Sequence, residues 1–550
     1  MDDSRFNQSP WMTPRSLDSA TIDRYWSYGL LVVALLLLLV NLGGLPLRDW
    51  DEGTVAQVAK EIAQAPAGSL RWAFPTLIGE PYLNKPPLVH TLMAIAFRLW
   101  GVSEWTARLP GALFTALSVP LLYALGREVF GRRPPALFAA LVYLTTLQVA
   151  RLGRLAMLDG AVLFFSILLF WCVLRSRRNV RFALAVGLSL GLLCLTKGVM
   201  LGLLMGAIAV CFLGWDTPRL LSQPYLGWGV VLGLLPVGLW YGVQWQQYGV
   251  EALNLNLVNQ SFSRIWNPVE RNDGPPWYYA LELLKYGIPW LVFWPMALQN
   301  AWNNRGLGWA KLSLLWGGLY FTAISLMATK LPWYVLPLYP ALALATGAQL
   351  AVLWEKGRRT PLSYPYFKGY SIGWAVLFTL LAIAALGGVF FFSALTRPRE
   401  TDLAFLSAVV CLTMLVVALL VLQHNPQFIS VLLWGTYVAL MMLMLSPHWN
   451  WELAESYPVK PVAALIQQQT PPGEVIYTSE PGHRPSLIFY SDRPVIPQPL
   501  ATLESLWQQN SQVYLLLDEA ALQNLRLDNV RSLGRAEGWT LVTRQLHPAE

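Results

Sequence analysis

Long runs without a single charged residue, such as Tyr28–Leu45 and Gly373–Ala394, alternate with short charged clusters along most of this chain. Each is close to the ~20 residues an α-helix needs to cross the hydrocarbon core of a bilayer. Lipid offers no hydrogen bonds to the backbone, so such runs must be helical. Of the 550 residues 55% are hydrophobic and only 13% charged, about half the charged share of a soluble domain. Counting runs against the spanning length predicts about thirteen crossings. Their centres lie near Leu36, Leu117, Leu144, Leu168, Leu188, Ala207, Leu234, Val292, Leu319, Ala343, Leu381, Val410 and Leu440. The expected architecture is an all-α polytopic membrane domain over residues 1–446, followed by a small soluble α/β domain over 447–550.

Lys plus Arg exceed Asp plus Glu by 39 − 31 = 8. No basic, aromatic-interleaved soluble stretch exists to receive nucleic acid, so the excess is read as cytoplasmic loops facing anionic lipid. Placing the N-terminus in the cytoplasm puts Arg127–Arg133, Arg175–Arg181 and Lys356–Arg359 on that side, and an odd number of crossings then exports the C-terminal region. The polar leader ends in an apolar run with no small-residue cleavage site behind it, which reads as a retained signal anchor. Cys172, Cys194, Cys211 and Cys411 all sit in apolar runs, so no disulfide framework is implied.

Two outer segments stand out. In the first, about Leu45 to Leu109, Val55, Val58, Ala59 and Ile62 recur at helical spacing. This predicts an amphipathic helix over Glu52–Gln64 lying on the membrane surface. Leu88–Trp100 is apolar but too short to span and reads as a second surface or re-entrant helix. The second outer segment, about Gln244 to Tyr286, is rich in Trp, Tyr and Asn. In the tail, Val475–Thr478, Leu487–Tyr490, Val513–Leu517 and Leu541–Thr543 read as strands, and Val459–Gln469 and Glu519–Leu525 as helices.

Asp51 and Glu52 follow the first crossing. Acids at a helix start commonly serve the free N–H groups and the dipole; the chemical reading is a carboxylate held at the bilayer surface as a general base. Asp159, at the entry to the fourth crossing, strengthens it, because a carboxylate near hydrocarbon needs a partner or a polar cavity. Its structural alternative is an ion pair with Arg151 or Arg154. Lys85, Lys197 and Lys330 recur at the same outer level, where the positive-inside rule makes lysine scarce. Singly, each would be read as snorkelling. Together with Arg154 and Arg264 they suggest a cationic pocket for a phosphate at headgroup depth. Trp277, Tyr278 and Tyr279, with Trp290 and Trp294, read as an interfacial belt or a sugar-stacking wall. The five histidines form no metal constellation; a divalent cation between Asp51 and Asp159 is compatible with the residue types, though no spacing requires it.

The ordered set Asp51-Glu52, Tyr82-Leu83-Asn84-Lys85-Pro86-Pro87, Met157-Leu158-Asp159, Leu195-Thr196-Lys197-Gly198, Pro276-Trp277-Tyr278-Tyr279 and Lys330-Leu331-Pro332-Trp333-Tyr334 resembles polyprenyl-phosphate-dependent glycosyltransferases of the GT-C class. The lipid A aminoarabinose transferases and dolichyl-phosphate-mannose protein mannosyltransferases are the nearest groups. The resemblance implies a multi-pass protein of the bacterial inner membrane. It would take a polyprenyl-phosphate-linked sugar donor and an extracytoplasmic lipid, glycan or protein acceptor. It further implies that Asp51 is catalytic, that Asp159 shapes the site, and that Lys85, Lys197, Arg264 and Tyr334 engage the carrier phosphate, with Tyr82 in the matching loop. Asn84 stands where aminoarabinose transferases often carry an acid, and the arginine often found just after the Asp-Glu pair is missing. Both departures argue for a different sugar, acceptor or both. A rival from another class, a lipid-linked sugar flippase, would place polar residues near the midplane in related halves; here charges gather at one level and no repeat is visible.

Overall fold

The computed structural model describes residues 19–268, 272–359, 370–451, 457–510 and 512–545. The leader up to residue 18 and the side chains of Arg358 and Arg359 lie outside the described residues. Among those described, eight helical stretches are long and apolar enough to cross a membrane: Ser19–Leu39, Glu104–Phe130, Val199–Asp216, Pro224–Trp266, Pro332–Gly357, Ile372–Leu395, Thr401–Leu422 and Phe428–Leu445. Two other expected crossings are shorter. Arg133–Leu144 and Phe182–Lys197 are apolar helices, and at 1.5 Å per residue the first reaches only about 18 Å. It stops at Thr145 and the chain restarts as Leu147–Leu152.

Small residues set the closest helix contact. Gly187 and Gly191 on Phe182–Lys197 face Gly229 and Gly233 on Pro224–Leu253, and a Cβ on any of the four would overlap the opposing backbone. This four-residue glycine spacing lets two backbones touch and fixes the helix that ends in Lys197. At one end of the bundle, Asp23 accepts from Arg127 (3.0 Å) and Arg133 (2.6 Å), Glu128 pairs with Arg175, and Asp216 with Arg177. The arginine clusters singled out in the sequence are thus tied together by a few acids.

The first outer segment forms the expected helices with the expected bounds, Glu52–Gln64 and Leu88–Trp100. The former is not laid on a surface with its polar side in water. Lys60 is 4% exposed, donates to the Phe489 carbonyl at 2.5 Å and pairs with Asp492. The helix is held between Leu88–Trp100 and the tail, and Arg98 donates to the Ile62, Ala63 and Ala65 carbonyls at its end.

In the tail a five-stranded mixed sheet runs in the order Val495–Pro497, Ile476–Thr478, Tyr514–Leu517, Trp539–Arg544, Val530–Ala536, the first three strands parallel. One face packs on Val462, Ala463 and Ile466 of the helix Val459–Gln469, the other on Leu503 and Trp507 of Leu500–Gln509. Leu487–Tyr490, read as a strand, lies in the helix Pro485–Ser491. A short continuous apolar run suits either state, and Pro485 at the first helical position selects this one. Phe489 of that helix joins the core of the membrane bundle, so tail and bundle share packed side chains.

Candidate active site

The charged residues singled out in the sequence fall into two groups. The first surrounds a cavity of about 90 Å³ lined by Lys85, Lys197, Gln260, Arg264, Tyr320 and Tyr334, among others. That is room enough for a phosphoryl group. Lys197 is the last residue of its helix, where a cation meets the helix dipole favourably. Gly198 follows at φ 110°, a backbone position that glycine alone adopts easily. The chain therefore turns sharply and Lys197 is left at the rim. Its ammonium pairs with Asp159, the first residue of Asp159–Arg175, and lies 5.6 Å from the centre of the Tyr334 ring. Arg264 follows the π-helical turn Asn254–Phe262 and donates to the Tyr334 hydroxyl at 3.0 Å and to Gln260 Oε1 at 2.5 Å. Burial, with the Arg264 and Lys197 cations close by, brings the Lys85 ammonium down to about 7, the Asp159 carboxylate opposing.

The second group is the segment Arg48–Gly53. Asp49 is buried, its carboxylate paired with Arg484 and accepting from Ser486 N (3.1 Å) and Oγ (2.8 Å). Trp50 then adopts φ 60°, and Asp51 precedes the helix Glu52–Gln64 with its carboxylate 3.8 Å from Arg48 Nη2. A Cβ on Gly53 would sit 2.7 Å from Ser486 N, so the tail helix is pressed against this turn.

Several expected site residues take other places. Glu52 is fully buried; it accepts two bonds from Arg108 (both 2.8 Å), one from Ala156 N (2.8 Å) and one from Arg48 N (3.0 Å). Burial alone would raise its carboxyl, but the Arg108 charge and these N–H groups hold it below the ordinary carboxylate range. With its acceptor positions filled, Glu52 is no catalytic acid or base. It ties the turn bearing Asp51 to the segment that leads into Asp159. Lys330 donates to the Ile324, Ser325 and Met327 carbonyls (3.2, 2.7 and 2.5 Å) and so caps the helix Gly308–Leu326 rather than a phosphate. Arg154 bonds the Val40 carbonyl and stacks on Trp449 at 4.4 Å, away from the cavity. Tyr82 is buried edge-on against His90 and does not line the cavity. Asp159 pairs with neither Arg151 nor Arg154. Trp290 and Trp294 are core residues, not an interfacial belt, and Trp290 donates to the Thr145 carbonyl. No three His, Cys, Asp or Glu side chains converge among the described residues, and Asp159 is engaged by Lys197.

Gln260 and the Asp49 clamp were missed in the sequence. Gln260 sits four residues before Arg264, one helical turn away, and its amide reaches Asn84 Oδ1 at 3.5 Å. That spacing was the available signal; for Asp49 there was none, since its partners lie more than 400 residues downstream.

The chain shares its fold with ArnT from Cupriavidus metallidurans bound to undecaprenyl phosphate (TM-score 0.75, 20% identity, covering 94% of this chain and 98% of that one). It also resembles the oligosaccharyltransferase of Archaeoglobus fulgidus (TM-score 0.50, 12% identity, 93% and 70%). Residues 84–241 match the family described as dolichyl-phosphate-mannose-protein mannosyltransferase. The chain resembles the undecaprenyl phosphate-alpha-4-amino-4-deoxy-L-arabinose arabinosyl transferase 1 of Pseudomonas fluorescens, 28% identical over 62% of this chain, and spans 62% of that protein's length. Its counterpart in Pectobacterium carotovorum is 29% identical over 70% of this chain and 68% of its own.

Proposed function

We propose that the protein transfers a sugar from a polyprenyl-phosphate carrier to a lipid, glycan or protein acceptor on the outer face of the bacterial inner membrane. The observation that carries this reading is the gathering of Lys85, Lys197, Arg264 and Tyr334 around one phosphate-sized cavity. In this reading thirteen crossings put the N-terminus in the cytoplasm and the α/β domain, residues 447–550, outside. The acceptor hydroxyl or amine gives its proton to the Asp51 carboxylate as its oxygen or nitrogen bonds the anomeric carbon. The bond from that carbon to the phosphate oxygen breaks, and the electron pair leaves with the carrier phosphate. Phosphate is a good leaving group, so positioning and charge stabilisation by the cations contribute most. Asp159 holds Lys197 at the rim and thereby shapes the pocket.

The test is sugar transfer by purified protein in detergent, where transport across a membrane has no meaning. Asp51→Asn is expected to lose roughly 10²–10⁴-fold in turnover, the usual contribution of a general base, while carrier binding persists. Normal turnover in that variant removes Asp51 from the chemistry.

A further inference from the structure

A second cavity, of about 310 Å³, is built entirely within the first outer segment. One wall is a single stripe of the helix Leu88–Trp100: Thr91, Ala94, Ile95 and Arg98, three and four residues apart. The facing wall is the loop 66–72, folded by its own turns. Ser69 N donates to the Pro66 carbonyl (3.1 Å) across Gly68 at φ 83°, and Ala73 N and Phe74 N donate to the Leu70 carbonyl (both 2.9 Å). The two arginines in these walls are held but not used up. Arg98 sets its Nε and Nη2 on the Ile62, Ala63 and Ala65 carbonyls, and its Nη1 has no partner among the described residues. Arg71 donates one hydrogen bond, Nη1 to Thr76 Oγ1 (3.1 Å), and forms no ion pair among the described residues. Glu61, the acid next along this chain of bonds, is occupied by Thr76 and the N–H groups of Ile78 and Gly79. No Asp or Glu among the described residues lines the cavity.

Its depth is fixed by a spanning helix. The Ala73 carbonyl beside it accepts from Trp240 Nε1 (3.2 Å) and Gln244 Nε2 (2.6 Å). Trp240 stands 240 − 224 = 16 residues into the helix Pro224–Leu253, about 24 Å along it at 1.5 Å per residue, where a hydrocarbon core of ~30 Å gives way to headgroups. Of the lining residues Leu70, Trp72 and Ile95 are exposed, and Leu99 and Trp100 continue the apolar surface along their helix. Tryptophan at that level is the mark of a membrane boundary.

We infer that this cavity binds the headgroup of an anionic phospholipid, its phosphate on Arg71 and the Nη1 of Arg98 and its chains along Leu70, Trp72 and Ile95. Planar guanidinium donors match a phosphate. At 310 Å³ against the 90 Å³ of the Lys85 cavity, there is room for more of a headgroup than its phosphate. The inference rests on the membrane setting and not on sugar transfer.

The test places the full chain in phosphatidylcholine vesicles carrying a trace of photoactivatable phosphatidylglycerol. Label on residues 66–72 and 91–98 is compared with label on the apolar helix Thr401–Leu422, whose Phe405, Leu412 and Leu419 are exposed. The cavity residues are expected to carry the heavier label. Arg71→Gln should lower it roughly ten-fold, as loss of a hydrogen bond to a charged group does. Ser69→Asp, which keeps both arginines and puts a carboxylate in the same wall, should lower it as well. Lys85→Gln with Arg264→Gln, which strips cations from the carrier cavity, should leave it unchanged; its loss there assigns the lipid to the carrier cavity instead. Photoactivatable phosphatidylcholine should mark the cavity no more than the reference helix, and equal marking by both lipids shows an apolar surface without a headgroup site. Displacement of the label by inorganic phosphate at the lipid's own concentration assigns the arginines to free phosphate. Either result overturns the inference, as does unchanged label in both Arg71→Gln and Ser69→Asp.

Discussion

The cationic cavity and the acidic turn are built in different ways. The cavity is assembled from helix ends. Lys197 terminates a helix seated by glycine contacts, Arg264 follows a π-helical turn, and Tyr334 starts the stretch Pro332–Gly357. Its groups bond one another around a void. The turn Arg48–Gly53 has no such freedom. Asp49 is bonded to the tail, Glu52 to the bundle, and Gly53 abuts Ser486. Under the proposed function the base must be held still to act, and the bonded turn supplies that rigidity.

That contrast can be broken by substitution, beginning with its largest consequence. Glu52→Gln removes the charge facing buried Arg108. Breaking a buried pair from one side costs about 3–5 kcal/mol, so thermal unfolding should show a large loss of stability; an unchanged Tm would mean that Glu52 does not lock the turn. Arg264→Gln should leave stability nearly intact and raise the donor KM roughly ten-fold or more, as loss of a charged hydrogen bond does. An equal fall in kcat instead would place Arg264 in the transition state alone.

The next effect is pH-dependent. With its pKa lowered to about 7, Lys85 is cationic below that pH and neutral above it. Carrier-phosphate binding should therefore strengthen as pH falls from 8 to 6, by up to about ten-fold. A bound anion stabilises the cation and moves the midpoint upward. Lys85→Arg keeps its charge throughout and should flatten the profile; a profile that stays steep would assign it to another group. The smallest effect is expected from Ser486→Ala, which removes one hydroxyl bond to Asp49, worth about 1 kcal/mol. If the clamp positions Asp51, kcat falls several-fold while carrier affinity holds. If both stay constant, the tail merely rests on the turn.

The helices Glu52–Gln64, Leu88–Trp100 and Val459–Gln469 were legible in the sequence: apolar residues at helical spacing marked the first, and an apolar run too short to span marked the second. The membrane character was equally plain, since hydrocarbon admits few charges. The lysines and arginines marked in the sequence were unusual for the same reason, but it could not sort them. Lys197 and Lys330 both occupy helix-end turns at the same level. One pairs with Asp159 at the rim of a cavity and the other caps carbonyls, and only the packing of neighbouring helices separates them.

Asp51 and Glu52 make the limit clearest. They are adjacent in sequence and alike in charge, so composition and spacing treat them as one acidic pair. Arg108, 56 residues from Glu52, closes on it and leaves Asp51 in the adjoining turn. What the sequence by itself determined was that charge had been brought to the membrane's edge. Which partner each charge finds depends on residues distant in the chain. That was decided only when the helices packed, since a carboxylate's chemistry is set by the groups within a few ångströms of it.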